Sequence, residues 1–329
     1  MKNFNKHLLS VALAGIFSLP ALAADVSSYE VVQRLPLGAA TKWDFISFDA
    51  LHQRLFVTRG DRVDVVEIPS GKIVGTITHT QGVHGVALAP DLKLGFTSNG
   101  KTNSVTVFDL DSLAPKAEIA LKGKNPDVIL YEPLTHKVFV FNGASADFEV
   151  IDTATLKVID SVKVNGRPEF AVSDERGKIF FNVEDKSELH VIDAHSNKVL
   201  AKWALKGCVE PTGLAMDLKN ARLFSACANG IAVVTDAHSG QQVSQFAIGE
   251  HPDAVIYDAE TRTVLTSGGG GNGTLSFARQ IDADHYSVLP KLLTEKGAKT
   301  MAMNPIDKTV YLPTVVGDQF VMVVAGKKP

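Results

Sequence analysis

A pattern of about 42 residues recurs along this 329-residue chain, and it constrains the fold more than any other feature. The stretch "NPDVILYEPLTHKVFVFN" begins at residue 125 and returns as "RPEFAVSDERGKIFFNV" from residue 167 and "HPDAVIYDAETRTVLTSG" from residue 251. Four prolines mark equivalent points of successive copies, 42, 43 and 41 positions apart: Pro126, Pro168, Pro211 and Pro252. A period of this length is typical of solenoids, propellers and related repeat architectures.

Each copy contains four short runs of β-branched and aromatic residues, separated by polar turns. In the copy that begins at residue 125, these runs are 128–131, 138–141, 147–152 and 158–164. Four strands in a unit of about 40 residues are typical of a propeller blade. The sequence shows no sustained 3.6-residue apolar period, which disfavours a helical solenoid.

The number of blades follows from the length of the chain. The 287 residues from Trp43 to Pro329 divide into seven units of 41, which predicts an all-β, seven-bladed β-propeller of four-stranded blades. The last unit holds only three predicted strands, whereas residues 29–38 have strand character and precede the first complete unit. We therefore expect residues 29–38 to form the outer strand of the last blade, which closes the ring and removes its open edges.

Short motifs within the copies resemble those of a known family. The runs "FVTR", "FTSN" and "FVFN" precede strands such as "VTVFDL" and "FEVIDT", and this combination resembles the YVTN repeat of the YncE-like seven-bladed β-propeller family. The resemblance covers essentially the whole chain after residue 24 and implies a propeller, export and a binding role. Members include proteins proposed to bind single-stranded DNA, surface-layer proteins and distant enzymatic relatives such as streptogramin-type lyases. The glycine run "TSGGGGNG" and Pro313 depart from the pattern, so we expect deviations in blades six and seven.

The first 23 residues predict a signal peptide. Lys2 and Lys6 give a basic start, residues 8–19 form an uncharged apolar run, and "ALA" at 21–23 supplies the small residues that signal peptidase reads. We expect cleavage after Ala23, a single propeller domain over residues 24–329, and a periplasmic or secreted location. The apolar run is shorter than the roughly 20 residues that cross a membrane, so we expect no membrane span.

Acidic residues recur where the inner strand of a unit begins. Asp44, Asp127, Glu169 and Asp253 occupy equivalent positions in four units, and His84 takes that place in a fifth. In a propeller these positions surround the mouth of the central channel, where close carboxylates raise one another's pKa and attract cations. A divalent cation or a cationic ligand would be a natural partner for such a ring, with the four acids as candidate metal ligands. The alternative is that the repeated Pro-Asp pairs only cap loop amides.

Function tends to lie where repeats diverge. Five residues break the pattern on the same predicted face and complete the candidate ligand-binding set at the mouth: Trp43, Arg59, Arg167, Glu184 and His251.

Other recurring polar residues have a structural explanation. The aspartates that end the third strands should accept hydrogen bonds from backbone amides two or three residues on: Asp109, Asp152, Asp193 and Asp236. Cys208 and Cys227 fall at the same end of one sheet, and export favours a disulfide between them, with two free thiols as the alternative.

Three classes of function remain open on the sequence. No catalytic motif is found, which favours a binding or scaffold module for a protein partner or a small ligand. A metal-dependent lyase or lactone hydrolase would need a metal held by the acids with His84 or His251. Single-stranded DNA binding would need aromatic platforms beside basic residues, for which Trp43 with Lys42 and Arg59 is the candidate. Cleavage would take the formal net charge from −3 to −5, which disfavours nucleic acid.

Overall fold

The computed structural model describes residues 29–327 as seven four-stranded antiparallel sheets arranged in a ring. The predicted all-β, seven-bladed propeller is therefore confirmed. Helical structure within the described residues is confined to two 3-10 turns, Pro90–Leu92 and Glu184–Lys186. The signal peptide and its cleavage after Ala23 lie outside the described residues and stay predictions.

In every blade the inner strand comes first, and each following strand pairs on its outer side. The strands of blades one to three are β2 (Ile46–Asp49), β3 (Arg54–Thr58), β4 (Val63–Glu67), β5 (Ile73–Ile77), β6 (Val83–Ala89), β7 (Leu94–Asn99), β8 (Ser104–Asp109), β9 (Pro115–Ala120), β10 (Pro126–Glu132), β11 (Lys137–Asn142), β12 (Asp147–Asp152) and β13 (Lys157–Lys163). The strands of blades four to six are β14 (Pro168–Ser173), β15 (Lys178–Val183), β16 (Glu188–Asp193), β17 (Lys198–Ala204), β18 (Pro211–Asp217), β19 (Arg222–Cys227), β20 (Ile231–Asp236), β21 (Gln242–Ala247), β22 (Pro252–Asp258), β23 (Thr263–Gly268), β24 (Thr274–Gln280) and β25 (Tyr286–Leu293). The strands of blade seven are β26 (Ala302–Met303), β27 (Val310–Val316), β28 (Gln319–Lys327) and β1 (Tyr29–Ala39).

Ring closure joins the first described strand to the last. β1 lies antiparallel to β28, with Tyr29 opposite Lys327 and Leu35 opposite Met322, and forms the outer strand of blade seven. Leu37 of β1 is buried in an apolar cluster shared by blades one and seven. The predicted closure by the N-terminal strand is confirmed.

Arg59 fastens the end of β1 to blade one. Its side chain is only 1% exposed and donates hydrogen bonds to the carbonyl oxygens of Leu37 and Ala39, each at 2.8 Å. Its Nη1 also lies 3.2 Å from Oδ2 of Asp64, and its guanidinium carbon lies 3.9 Å from the centre of the Phe320 ring. The positive charge of Arg59 therefore interacts with Asp64 and with the backbone of β1 inside the protein.

Burial follows the position of each strand in its blade. β3 is buried at all five residues because neighbouring blades cover both of its faces, whereas the outer strand β13 alternates between exposed and half-buried residues. Side chains of adjacent blades interlock, as where Phe96 of blade two shares a buried cluster with Ile129 of blade three. The continuous apolar runs of the sequence correspond to these doubly covered strands.

The two departures from the repeat have local explanations. Pro313 lies in β27, the second strand of blade seven. The inner strand, β26, pairs with β27 only from Ala302 opposite Tyr311 to Met303 opposite Val310, so it has no residue paired with Pro313. Proline has no backbone N–H to donate, and at this position no hydrogen bond to the inner strand is lost for that reason. The glycine run turns from β23 into β24, and Gly273, at φ 77°, leaves no room for a Cβ against the backbone of Glu295.

The structural interpretation of the third-strand aspartates is confirmed. Each carboxylate accepts hydrogen bonds from amides two or three residues further on, at 2.8 to 3.1 Å: Asp109, Asp152, Asp193 and Asp236.

The predicted disulfide is present. Cys208 precedes β18 and Cys227 ends β19, with their Cα atoms 5.3 Å apart and both side chains buried. Closing the span of 19 residues restricts the unfolded chain, which stabilises the fold by about 3 kcal/mol in the loop-entropy description.

Candidate functional site

One residue from each blade lies where its inner strand begins, and we call these seven residues the mouth ring: Asp44, His84, Asp127, Glu169, Thr212, Asp253 and Thr300. The two blades without a charged member contribute threonines. Thr212 donates to the carbonyl oxygen of Pro252 at 2.9 Å, and Thr300 to that of Asp44 at 2.9 Å. The threonine hydroxyls therefore connect one blade to the next, whereas the charged members are directed to the mouth.

Two phenylalanines meet beneath the mouth ring. Phe45 and Phe170 directly follow Asp44 and Glu169 in the sequence, and their rings meet edge to face with centres 4.5 Å apart. They belong to blades one and four, which lie on opposite sides of a seven-membered ring, so their contact crosses the axis. The phenylalanine pair thus gives the mouth an apolar floor, and we call the space above it the cup.

The cup contains a cavity of about 370 Å³, which we call the acidic cavity. Its carboxylates come from five blades: Asp44, Asp127, Glu169, Glu184, Glu210 and Asp253. Arg167 and Lys299 are its two permanently charged cations, and His251 is exposed at its rim. Because six carboxylates face two permanent cations, the cavity favours a positively charged occupant.

The two cations contact particular acids. Lys299 Nζ lies 2.5 Å from Oδ2 of Asp253. Arg167 forms a close ion pair with Glu184, while its Nε lies 3.9 Å from Oε1 of Glu169. Arg167 is half exposed, so this group of charges lies at the boundary between the cup and the solvent.

Burial raises the pKa of the acids deepest in the cup. Desolvation is the main cause at Asp253, where the charge of Asp44 adds to it and Lys299 opposes it, and the pKa rises to about 6. Desolvation also raises the pKa of Glu169 well above its usual range, and the charges of Asp127 and Glu184 increase the effect. These carboxyl groups remain protonated at higher pH than exposed ones.

A histidine between two carboxylates forms the most compact polar group at the mouth. His84 Nδ1 lies 2.6 Å from Oδ2 of Asp44 and 3.6 Å from Oδ1 of Asp127. Burial alone would lower the pKa of His84, but the hydrogen bond to Asp44 and the charge of Asp127 outweigh it and raise the pKa. Burial raises the pKa of Asp127, an effect that His84 opposes and the charge of Asp44 strengthens.

A larger cavity of about 560 Å³ adjoins the acidic cavity and shares Asp44 with it. The indole of Trp43 lines this Trp43 cavity and packs edge to face on Phe320, with ring centres 5.7 Å apart. Within residues 29–327 the buried Nε1 of Trp43 finds no hydrogen-bond acceptor. The exposed side chains of Lys42 and Lys101 lie at the edge of the cavity.

The candidate residues are distributed over the two cavities. The acidic cavity is lined by Asp44, Asp127, Arg167, Glu169, Glu184, His251 and Asp253. The Trp43 cavity is lined by Trp43, Asp44, Arg59 and His84. Arg59 differs from the rest because its guanidinium is buried in the ring-closure contacts, so the Trp43, Lys42 and Arg59 cluster lacks one of the charges that a nucleic acid would require. A ligand-binding role for the set stays a prediction.

Sequence reasoning missed Asn125 and Thr212. Thr212 follows Pro211 as Asp127 follows Pro126, and Asn125 precedes its proline as Glu210 and His251 precede theirs. The residues before the three prolines all have left-handed backbone, with φ of 54°, 47° and 48°. Alignment on the prolines alone would have found both positions.

No family model matches the chain. The antigen Lp49 of Leptospira interrogans serogroup Icterohaemorrhagiae serovar copenhageni (strain Fiocruz L1-130) is 31% identical over 121 residues, which cover 35% of this chain and 26% of Lp49. The uncharacterized protein YncE of Salmonella typhi is 25% identical over 177 residues, which cover 51% of this chain and 48% of YncE. The matched regions thus span about a quarter of Lp49 and about half of YncE.

Solved structures of similar shape are propellers. The WD40 repeats of RRP9 superpose with a TM-score of 0.76 at 9% identity, over 91% of this chain and 98% of that one. A chain of the mitotic checkpoint complex gives a TM-score of 0.79 at 11% identity, over 97% and 99% of the two chains. At such low identity these likenesses show the fold alone, and a propeller supports a binding or scaffold module only in general terms.

Two further observations bear on location. The disulfide and the similarity to YncE are consistent with a periplasmic or secreted protein. Within residues 29–327, no helix is long and apolar enough to cross a membrane. The sequence matches to YncE and Lp49, together with the seven four-stranded blades, support the description of this chain as a YncE-like β-propeller.

Proposed function

We propose that the protein is an exported binding module that holds a positively charged group in its acidic cavity. The observation that carries the proposal is the excess of carboxylates over cations in a cup whose floor is formed by Phe45 and Phe170. Field lines from several like charges are focused in such a recess, which raises the local concentration of cations.

The burial of the acids adds specificity to this attraction. Asp253 is 8% exposed, and Glu169 sits above the apolar floor formed by Phe45 and Phe170. Carboxylates that have lost water regain hydrogen-bonding partners when an ammonium or guanidinium group enters, and such charge-assisted bonds are the stronger ones. A ligand with this chemistry therefore offsets the cost of burying these carboxylates.

The dimensions of the cup favour a small occupant. A cavity of about 370 Å³ lies at the lower end of the range for small-molecule sites and accommodates a polyamine segment or one basic side chain. The ligand is thus either a small organic cation or a lysine or arginine side chain that a protein partner inserts.

Calorimetric titration tests the proposal with spermidine and with a tetralysine peptide as probes. Both should bind the wild-type protein at low ionic strength and lose affinity as salt is added. The double variant Glu169→Gln/Asp253→Asn should bind at least about tenfold more weakly, because each charge-assisted hydrogen bond contributes about 1.5 to 3 kcal/mol.

The matched control is Glu118→Gln, which removes an exposed acid from the outer strand β9 and should leave binding unchanged. The proposal fails if the double variant binds spermidine as well as the wild type does. It also fails if a tetraglutamate peptide binds in place of the two cationic probes.

We further propose that the chain is exported and oxidised after removal of residues 1–23. The basic start, the apolar run and the "ALA" stretch support export, and the buried Cys208–Cys227 disulfide requires an oxidising compartment. Protein isolated from periplasm or medium should begin at Ala24 and, when denatured without reductant, should show no reactive thiol. Retention of Met1 or titration of two thiols per chain would contradict this expectation.

A further inference from the structure

We propose that Asp44, His84 and Asp127 form a binding site for a divalent first-row transition-metal ion at the junction of the two cavities. This inference rests on the proposed function, because it assigns one inorganic cation to a defined part of the same acidic mouth.

The geometry of the three side chains carries the inference. One oxygen of each aspartate and one ring nitrogen of His84 all lie within 4.8 Å of one another, so a single ion can contact all three after small rotations. The residues belong to blades one, two and three and occupy the same ring position in each. Three consecutive blades thus hold them on a rigid frame, which is the arrangement a preorganised site requires.

Contacts behind the histidine fix the orientation of its ring. The side chain of Asn125 lies beside the ring of His84, whose Nδ1 faces Asp44 and Asp127. The Nε2 atom of His84 and the Oδ1 atom of Asn125 both lie against Gly100, where a Cβ would stand 2.8 Å and 2.7 Å from them. Metal-binding histidines usually bond a carbonyl or carboxylate through the nitrogen that does not bind the metal. Asn125 is therefore a positioning residue for the site.

The donor set indicates which ions fit. One imidazole nitrogen with two carboxylates suits Zn²⁺, Mn²⁺ or Co²⁺ better than Ca²⁺ or Mg²⁺, which prefer all-oxygen sites. Asp44 borders both cavities, His84 borders the Trp43 cavity and Asp127 borders the acidic cavity. An ion with three protein ligands would thus keep at least one coordination position open towards a small molecule in either cavity.

The contact between Asp44 and His84 is the one that the ion must replace. Their bond at 2.6 Å places a proton between Nδ1 and Oδ2. A metal ion takes the place of this shared proton, and it also offsets the repulsion between the two aspartates. The exchange is balanced: the ion binds at Nδ1 and the carboxylate oxygens, and the proton leaves to solvent.

Titration of the full chain with ZnCl₂ after chelator treatment tests the site. The wild type should bind one ion per chain, and Co²⁺ bound in its place should give a visible absorption band. His84→Gln should weaken Zn²⁺ binding at least tenfold and abolish the band. Asn125→Gly keeps the left-handed backbone at φ 54° and should weaken binding about 10- to 100-fold, because it removes the polar side chain that lies beside Nε2 of His84.

The matched control is His238→Asn, which removes an exposed histidine from the turn between β20 and β21, away from the mouth, and should leave the Zn²⁺ affinity unchanged. If His84→Gln does not fold, Asp44→Asn and Asn125→Gly decide the question. The inference is overturned if the wild type takes up no Zn²⁺ or if folded His84→Gln binds as the wild type does. If spermidine still binds but the protein takes up no Zn²⁺, the metal site is ruled out and the proposed cation-binding function is not. The two results are independent because the spermidine test depends on Glu169 and Asp253.

Discussion

Deletion of residues 29–39 should lower the melting temperature by about 10 °C or more, the largest effect expected for any change in this chain. The deletion removes β1 and exposes the edge of β28 along its whole length. It also uncovers the apolar cluster around Leu37 and takes two carbonyl acceptors from the buried guanidinium of Arg59. Burying Leu37 contributes about 2 kcal/mol, and each charged hydrogen bond contributes about 1.5 to 3 kcal/mol.

Thermal unfolding followed by circular dichroism measures this loss. Val32→Thr is the control, because Val32 lies in the same strand but is 47% exposed, and the change should alter the free energy of unfolding by no more than about 0.5 kcal/mol. An unchanged melting temperature after the deletion would mean that the ring does not depend on β1 for closure.

The second large effect is a gain in stability on acidification from pH 8 to about pH 4.5, opposite to the usual behaviour of carboxylates in ion pairs. Asp253, Asp127 and Glu169 have raised pKa values in the folded protein because burial disfavours their charged forms. A carboxyl whose folded pKa is raised contributes stability below its unfolded pKa and loses it as the pH rises through the folded value.

The gain in stability on acidification can be estimated from Asp253. The pKa of Asp253 moves from 3.8 to about 6, which corresponds to about 3 kcal/mol over the whole titration, of which about 2 kcal/mol is gained between pH 6 and pH 4. His84, with its raised pKa, acts in the same direction, whereas the buried His190 has a lowered pKa and opposes it. Acids with lowered pKa values, such as Asp217, lose their contribution to the free energy of unfolding only at pH values below this range.

Urea unfolding at a series of pH values measures the dependence. Asp253→Asn should flatten the curve between pH 4 and pH 6, and Glu169→Gln should stabilise the protein at pH 8. The matched control Glu118→Gln should leave the curve unchanged. A wild-type stability that stays constant or falls from pH 8 to pH 4.5 would show that the mouth acids are solvated like exposed ones.

The fold was predictable because its determinants are local and repeated. Each unit contains its own strand pattern and turn residues, so the spacing of Pro126, Pro168, Pro211 and Pro252, together with the length of the chain, predicted the number of blades. The short inner strand of blade seven was not predictable in this way. Its two paired residues, Ala302 and Met303, lie opposite Tyr311 and Val310, and the pairing does not extend to Pro313 in the same neighbouring strand.

The candidate site was predictable only in part. Sequence position brings Asp44, Asp127, Glu169 and Asp253 to the mouth because equivalent residues of a repeat take equivalent places. The role of Arg59 depends on Leu37 and Ala39, which reach it only through ring closure, so its burial could not be inferred from the pattern. The floor formed by Phe45 and Phe170 likewise depends on two residues that lie 125 positions apart in the sequence, so no local sequence pattern predicts their contact.

The pairing of β1 with β28 also sets the order of events during folding. Tyr29 and Lys327 are the first and last described residues, and they lie opposite each other in the same ladder. Most other strand pairs join neighbours in sequence and can form within microseconds as hairpins, but this pair must wait until nearly the entire chain is available. Contacts of such sequence separation carry the largest loop-closure cost and slow folding. The blades can therefore assemble one after another as the chain emerges, while the ring stays open until its final strand arrives.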